Sequence, residues 1–247
     1  MIQYKNKFLL FFLFLCFPLF SFAKVFLVSV GISNYPGTEN DLRLPVDDAK
    51  TIAGIYKKAS DVEAHVILDS LATPFNVTMV MNKVFSQANE DDIVVFFYSG
   101  HGVSGALYLY NGVLNFSAIR NAMAKSKSKS KMIFLDACFS GKIRHEENKE
   151  TARDSESSAK KANVMLFLSS KNQETSFESS DMRNSMFTAF LAKGLYGFAD
   201  GDQNGVITAF ELFKYVHYNV KKKSGDKQHP VMWGRFPHDM TVMYVDL

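Results

Sequence analysis

The sequence predicts an α/β fold with a mostly parallel six-stranded sheet and helices on both of its faces. Six short runs are rich in apolar and β-branched residues without strict alternation, which indicates strands buried on both faces. Segments with apolar residues at helical spacing lie between several of these runs. Strands that alternate with helices in this way are typical of a parallel sheet.

The elements follow in order along the chain. The predicted strands are 25–32, 64–68, 93–97, 132–135, 164–168 and 240–245. The predicted helices are 46–58, 76–88, 184–196 and 208–220. The segment 142–163 is rich in charged residues and serine and poor in large apolar groups, so we expect a mobile linker there.

The N-terminus has the features of a secretory signal peptide. Lys5 and Lys7 precede a short apolar run, and the small residues Ser21 and Ala23 stand at positions −3 and −1 of a cleavage site after residue 23. An uncleaved membrane anchor is the alternative, although the run is short for a span. We therefore predict a signal peptide over 1–23, a secreted or periplasmic protein, and no stable membrane insertion after cleavage.

The mature chain, residues 24–247, is long enough for one sizeable core. The formal charge is +3 and includes two lysines of the signal, so nothing indicates nucleic acid as a partner. Of two cysteines, Cys16 falls inside the signal, which leaves Cys138 as a single thiol. A lone thiol in an exported protein indicates reactivity. A buried, inert cysteine is the alternative.

Two strands end in small, polar turns that carry chemistry. The strand 93–97 runs into a turn with His101, and the strand 132–135 runs into a turn with Cys138. If these strands are parallel neighbours, both side chains emerge at the same edge of the sheet, where α/β proteins bind ligands. A Cys–His pair placed there is the minimum for thiolate attack on an acyl group. A structural histidine and a core cysteine are the alternatives.

These two turns resemble the catalytic blocks of caspase-like peptidases, within the metacaspase and paracaspase branch. The matching blocks are 98–102 (Tyr-Ser-Gly-His-Gly) and 136–141 (Asp-Ala-Cys-Phe-Ser-Gly), and the resemblance extends to 28–35 and 44–49. It implies a caspase-like fold, with 24–141 as the large portion and 164–247 as the small portion.

The resemblance also implies roles for individual residues. Cys138 would attack the scissile carbonyl, and His101 would protonate the leaving amine and later activate water. The backbone N–H groups of Gly102 and Cys138 would hold the oxyanion. No carboxylate is needed to orient the histidine.

The substrate pocket follows from the same resemblance. Positions that match the S1 pocket of metacaspases carry Asp48, Ser99 and Asp136. Two carboxylates in one pocket favour Arg or Lys, so we predict a peptide or protein substrate with a basic P1 residue. For Asp48 the alternative is a surface helix residue, with Asp47 competing for the assignment. For Asp136 it is a structural carboxylate.

The segment 142–163 would join the large and small portions and offers six basic residues to an enzyme of this specificity. Self-cleavage there is a natural hypothesis, and a linker that is never cut by its own active site is the alternative.

No cofactor is required by this chemistry, and calcium is the one candidate ion. The residues at 200–211 fit the EF-hand loop pattern, with oxygen ligands expected from Asp200, Asp202, Asn204, the carbonyl of Val206 and Glu211. A plain turn followed by a helix-capping box explains the same residues. No Asp or Glu occurs from Gly102 to Leu135, so we do not expect calcium activation through acidic residues between the dyad members.

The sequence therefore predicts a secreted cysteine endopeptidase. The alternatives are a legumain-like or clostripain-like hydrolase, a transpeptidase of the same fold, or a non-catalytic interaction module. The sequence carries no signal for oligomeric state.

Overall fold

A computed structural model of the chain describes residues 23–59, 61–103, 105–137, 164–170 and 183–245. The predicted signal peptide as far as residue 22, Cys138 and the predicted linker 142–163 lie outside the described residues. In the described part of the chain, no helix combines the length and apolar character needed to cross a membrane.

The strands and helices are numbered in chain order. The strands are β1 (Val25–Gly31), β2 (Val62–Leu68), β3 (Ile93–Ser99), β4 (Gly102–Val103), β5 (Ala106–Leu109), β6 (Gly112–Asn115), β7 (Ser130–Asp136), β8 (Met165–Leu168), β9 (Val206–Thr208), β10 (Val231–Gly234) and β11 (Thr241–Tyr244). The helices are α1 (Pro45–Ala59), α2 (Pro74–Phe85), α3 (Phe116–Lys125), α4 (Met186–Lys193) and α5 (Ala209–Lys223). A π-helical turn, Gly194–Phe198, extends α4.

The main sheet has six strands in the order β10-β8-β7-β3-β1-β2. Only the β10–β8 pair is antiparallel, and the other neighbours run parallel. The prediction of a mostly parallel six-stranded sheet is confirmed. Because β1 and β3 lie in the middle of the sheet, every one of their residues is buried, which explains their unbroken apolar character.

Helices cover both faces of this sheet, as expected. Along β3, Phe96 and Tyr98 pack on the face covered by α2 and α3. Phe97 lies on the opposite face, in the layer formed with α1, α4 and α5. Since side chains alternate along a strand, Ser99 lies on the same face as Phe97. The end of β3 therefore presents the hydroxyl of Tyr98 to one face of the sheet and the hydroxyl of Ser99 to the other.

The membership of the sheet differs from the sequence interpretation in one strand. The segment 240–245 does form a strand, β11, but it pairs antiparallel with β9 in a separate two-stranded sheet. The sixth place belongs to β10, which the pattern missed. Strand β10 is four residues long, half-buried throughout and at the sheet edge. Its apolar run, Val231 to Trp233, is too short between Pro230 and Gly234 to predict a strand. The three-stranded sheet β4-β5-β6 and helix α3 were also not predicted.

Close contact between β1 and α1 brings the first turn of α1 to the carboxyl edge of the sheet. A Cβ atom on Gly31 would lie 2.2 Å from the carbonyl oxygen of Pro45, so only glycine allows this approach. The hydroxyl of Ser29 donates to the carbonyl of Ala49 at 2.9 Å and fixes the same helix. This packing carries Asp48, in the first turn of α1, towards the ends of the central strands.

Candidate active site

The carboxyl ends of three neighbouring strands lie level with one another. Gly31 of β1 pairs with Ser99 of β3, and Ser99 pairs with Asp136 of β7. Beyond the strand end, the N–H of Gly100 donates to the carbonyl of Asp136 at 3.2 Å. His101 therefore emerges next to the end of β7, as predicted. Cys138 follows Asp136 by two residues and lies outside the described residues, so its role stays a prediction.

The imidazole of His101 is partly exposed and oriented by a main-chain acceptor. Its Nε2 atom lies 2.8 Å from the carbonyl oxygen of Asn40, in the connection between β1 and α1. A carbonyl can only accept, so in the neutral ring Nε2 carries the proton and Nδ1 is the basic nitrogen. Among the described residues, this main-chain carbonyl is the hydrogen-bond partner recorded for the ring. Asn40 was not predicted, because a backbone carbonyl leaves no mark in a sequence.

Gly102, the predicted oxyanion donor, opens the β4–β5 hairpin. The N–H of Tyr108 donates to the carbonyl of His101 at 3.0 Å, and the next residue pair along the ladder is Gly102 with Leu107. Hydrogen-bonded and non-hydrogen-bonded pairs alternate in an antiparallel ladder, so the N–H of Gly102 points away from β5. Its role as a donor to substrate stays a prediction.

The three predicted S1 residues meet beneath this edge. Asp48 has none of its surface exposed, and its Oδ2 accepts a hydrogen bond from the hydroxyl of Ser99 at 2.9 Å. Asp136 is 5% exposed and lies on the same face of the sheet as Ser99. The alternative of a surface residue at position 48 is wrong. Its competitor Asp47 is the exposed member of the two neighbouring aspartates.

The start of α4 connects the two carboxylates. The N–H of Ser185 donates to Oδ1 of Asp48 at 3.0 Å, and its hydroxyl donates to Oδ2 of Asp136. The side-chain amide of Asn184 also donates to Asp48, at 2.9 Å. Thr188 donates to Asp136 through its hydroxyl at 2.7 Å and its N–H at 3.2 Å. Asp136 is thus also the structural acceptor that the alternative interpretation expected.

Asn184, Ser185 and Thr188 were not predicted as site residues. Their one local signal was a serine at the start of an apolar helix, which is typical of an N-cap, and Ser185 does cap α4.

The environment of the two carboxylates favours the binding of a positive charge. Burial, followed by the nearby charge of Asp136, raises the pKa of Asp48 to about 7. Burial likewise raises the pKa of Asp136. Among the described residues, the groups that hydrogen-bond to the pair are hydroxyls, an amide and backbone N–H groups, none of them a cation. The pair can therefore gain stability from either a proton or a cationic ligand.

The acidic loop lies between the π-helical turn that extends α4 and strand β9. Carboxylate oxygens of Asp200, Asp202 and Glu211 come within 4.8 Å of one another, and oxygen ligands suit calcium. Asp200 also accepts from the N–H groups of Asn204 and Gly205, at 3.1 and 3.0 Å.

Both explanations of this loop therefore find support in its contacts. Glu211 completes the capping box with Thr208, whose N–H donates to it at 3.0 Å. Asn204 accepts from the N–H of Val206 at 2.8 Å. The oxygen atoms of the loop suit a hard divalent cation, but N–H groups of the same loop already donate hydrogen bonds to several of them. Calcium binding stays a prediction.

The sheet order, the histidine turn after β3 and the acidic end of β7 define a protein of the caspase-like α/β class. Residues 25–240 match the family model of the caspase domain, a peptidase family, and the chain belongs to this family.

Solved structures share the fold. A protein from Geobacter sulfurreducens superposes with a TM-score of 0.66 at 16% identity, covering 89% of this chain and 97% of its own. Caspase-1 from Spodoptera frugiperda has a TM-score of 0.64 at 12% identity, covering 91% of this chain and 90% of its own. At these identities the likeness shows the fold alone. No curated protein matches the chain in sequence.

Proposed function

We propose that the protein is a secreted cysteine endopeptidase that cleaves after Arg or Lys, with Cys138 as the nucleophile and His101 as the acid–base partner. The observation that carries this proposal is the position, at the strand ends beside His101, of a buried carboxylate pair whose described hydrogen-bond donors are all neutral. Peptide cleavage and the preference for a basic P1 residue would then both be located at this one edge of the sheet.

The position of His101 supports the dyad. His101 and Cys138 each stand two residues beyond a matched pair, Ser99 with Asp136, on neighbouring parallel strands. Because the contact with Asn40 occupies Nε2, the basic Nδ1 is the nitrogen left to exchange a proton with thiol or substrate.

The reaction needs no group beyond this dyad, the backbone donors and water. The thiolate of Cys138 attacks the scissile carbonyl, and the N–H groups of Gly102 and Cys138 stabilise the negative oxygen. His101 gives its proton to the leaving amine as the C–N bond breaks, which leaves a thioester. His101 then removes a proton from water, the hydroxide displaces the thiolate, and the acid product departs.

The carboxylate pair supports the preference for a basic P1 residue. Asp48 and Asp136 lie close enough for one charge to raise the pKa of the other, and the described donors around them are neutral. A guanidinium or ammonium group would balance the negative charge of the ionised pair, and a guanidinium offers a planar fork of donors. An acidic P1 residue would add a third negative charge.

Secretion rests on the N-terminal sequence. The basic start, apolar run and small residues at the expected cleavage positions support export to the periplasm or the extracellular space.

Hydrolysis of fluorogenic peptides with Arg, Lys or Asp at P1 tests the proposal. We expect turnover of the Arg and Lys peptides, no turnover of the Asp peptide, and none by the Cys138→Ala variant. Turnover only after Asp would keep the nucleophile and refute the pocket assignment. An inactive wild-type protein would favour the interaction module, unless cleavage within 142–163 restores activity.

Two further measurements test the pocket and distinguish a hydrolase from a transpeptidase. Asp136→Asn should raise KM for the Arg peptide, and an unchanged KM would show that the pair does not bind P1. Addition of a peptide with a free amino terminus distinguishes a hydrolase from a transpeptidase. A hydrolase releases only the acid product, whereas a transpeptidase joins the acyl fragment to the added amine.

A further inference from the structure

Two tyrosine hydroxyl groups hold the backbone of His101. The N–H of His101 donates to the hydroxyl oxygen of Tyr35 at 3.0 Å. The hydroxyl of Tyr98 lies 2.8 Å from the carbonyl oxygen of His101 and 2.7 Å from that of Tyr108, so its one proton is placed between two acceptors. Both polar groups of the His101 backbone are therefore bound by a tyrosine.

The hydroxyl of Tyr35 also connects the histidine turn to the hairpin. It lies 3.3 Å from the carbonyl oxygen of Tyr108, to which it donates, while it accepts from His101. The ring centroids of Tyr35 and His101 are 5.0 Å apart, and the ring of Tyr35 stacks on that of Tyr108. One side chain therefore touches the histidine at its backbone and at its ring.

The turn is built around these hydroxyl groups. A Cβ atom on Gly100 would lie 2.5 Å from the hydroxyl oxygen of Tyr98 and 2.8 Å from that of Tyr35. Only a residue without a side chain lets the main chain pass this close to both tyrosines. Tyr35 is 5% exposed and Tyr98 is fully buried. Burial raises the pKa of both hydroxyl groups, so they stay protonated while the enzyme works.

We propose that Tyr35 is a positioning residue of the peptidase, whose hydroxyl holds the His101 backbone so that the imidazole keeps its hydrogen bond to the Asn40 carbonyl. This inference rests on the proposed function, because it needs His101 to be the acid–base partner. The described partners of this hydroxyl include the backbone of His101 and of Tyr108, so the role assigned to it is positioning and not catalysis.

The Tyr35→Phe variant tests this role, because it removes one oxygen atom and keeps the ring. We expect kcat on the Arg peptide to fall by about 10- to 100-fold, the cost of a small displacement of a catalytic group. KM should be unchanged, since the carboxylate pair is untouched.

Tyr56→Phe is the matched control. Tyr56 is fully buried in the layer on the opposite face of the sheet, with its hydroxyl 3.5 Å from the carbonyl oxygen of Val242. The Tyr56→Phe variant loses the same atom and should keep the wild-type kcat. An equal loss of kcat in Tyr56→Phe would overturn the inference, because it would make the effect one of general stability.

The pH dependence of Cys138 alkylation by iodoacetamide gives a readout that needs no turnover. Mass spectrometry of the Cys138 peptide separates this thiol from Cys16. A nearby imidazolium lowers a thiol pKa below its usual value of about 8.5. We expect the alkylation profile of Tyr35→Phe to move to higher pH, towards that of His101→Ala, while Tyr56→Phe follows the wild type.

The two proposals fail in different ways. A wild-type profile that His101→Ala leaves unchanged would refute the Cys–His dyad itself. A profile that depends on His101 but is the same in Tyr35→Phe, together with an unchanged kcat, would refute only the role of Tyr35.

Discussion

Replacing Asp48 with asparagine should make the protein more stable at alkaline pH. Asparagine has the same shape, and its Oδ1 can still accept from Asn184 and Ser185. Its amide nitrogen would face Ser99, whose hydroxyl now donates to Oδ2 of Asp48 and can rotate to accept instead. The substitution therefore keeps the hydrogen-bond network and removes a buried charge beside Asp136.

The size of the effect follows from the raised pKa. Burial and the charge of Asp136 raise the pKa of Asp48 from 3.8 to about 7. Between these values the folded state binds more protons than the unfolded state, so the free energy of unfolding decreases as pH rises through this window. At about 1.4 kcal/mol per pH unit, the ionised carboxylate costs roughly 4 kcal/mol above pH ~7. Asp48→Asn avoids that cost.

Urea unfolding at pH ~4 and pH ~8 measures the difference, with the fluorescence of Trp233, the one tryptophan, as the probe. We expect Asp48→Asn to gain up to roughly 4 kcal/mol at the higher pH and almost nothing at the lower. Asp47→Asn is the control. It alters an exposed carboxylate in the same helical turn and should lose only about 0.3–1 kcal/mol of helix-dipole interaction.

A variant that is no more stable than the wild type at high pH would refute this reasoning. It would mean that the carboxylate is compensated by a charge that the described contacts do not contain. The same variant should raise KM for Arg peptides, since the gain in stability and the loss of binding have one cause.

Three further outcomes are expected. Gly31→Ala should destabilise the fold by about 1–3 kcal/mol, because its Cβ would meet the Pro45 carbonyl at 2.2 Å, and an unchanged urea midpoint would contradict the close β1–α1 packing. Calcium should raise the melting temperature of the wild type but not of Asp200→Asn, and the absence of any shift in the wild type would exclude the metal site. Wild-type protein should become nicked within 142–163 on storage while Cys138→Ala stays intact, and identical nicking of both would exclude self-cleavage.

Local patterns in the sequence determined much of the architecture. Unbroken apolar runs predicted β1, β3, β7 and β8, because strands covered on both faces have no polar side to show. The polar residues that end β3 and β7 then predicted the edge that carries the candidate site, because parallel neighbours end on the same side.

Other elements left too little local signal. Strand β10 pairs with one neighbour, β8, and its side chains are half-buried. Contacts with neighbouring segments, rather than its own residue pattern, therefore make it a strand. Segment 240–245 was apolar enough to predict a strand, but its pairing with β9 depends on where α5 ends and how the chain returns.

The candidate residues for the chemistry, His101, Cys138 and two aspartates, could be identified without the fold, because each stands in a motif of a few neighbouring positions. The way His101 and the two aspartates are held depends on contacts between distant parts of the chain. Ser185 reaches Asp48 across 137 positions of the chain, and the hydroxyl of Tyr35 reaches the His101 backbone across 66. Contacts of this kind depend on strand register and helix packing, which arise from the whole core, and a main-chain carbonyl such as that of Asn40 is present at every residue.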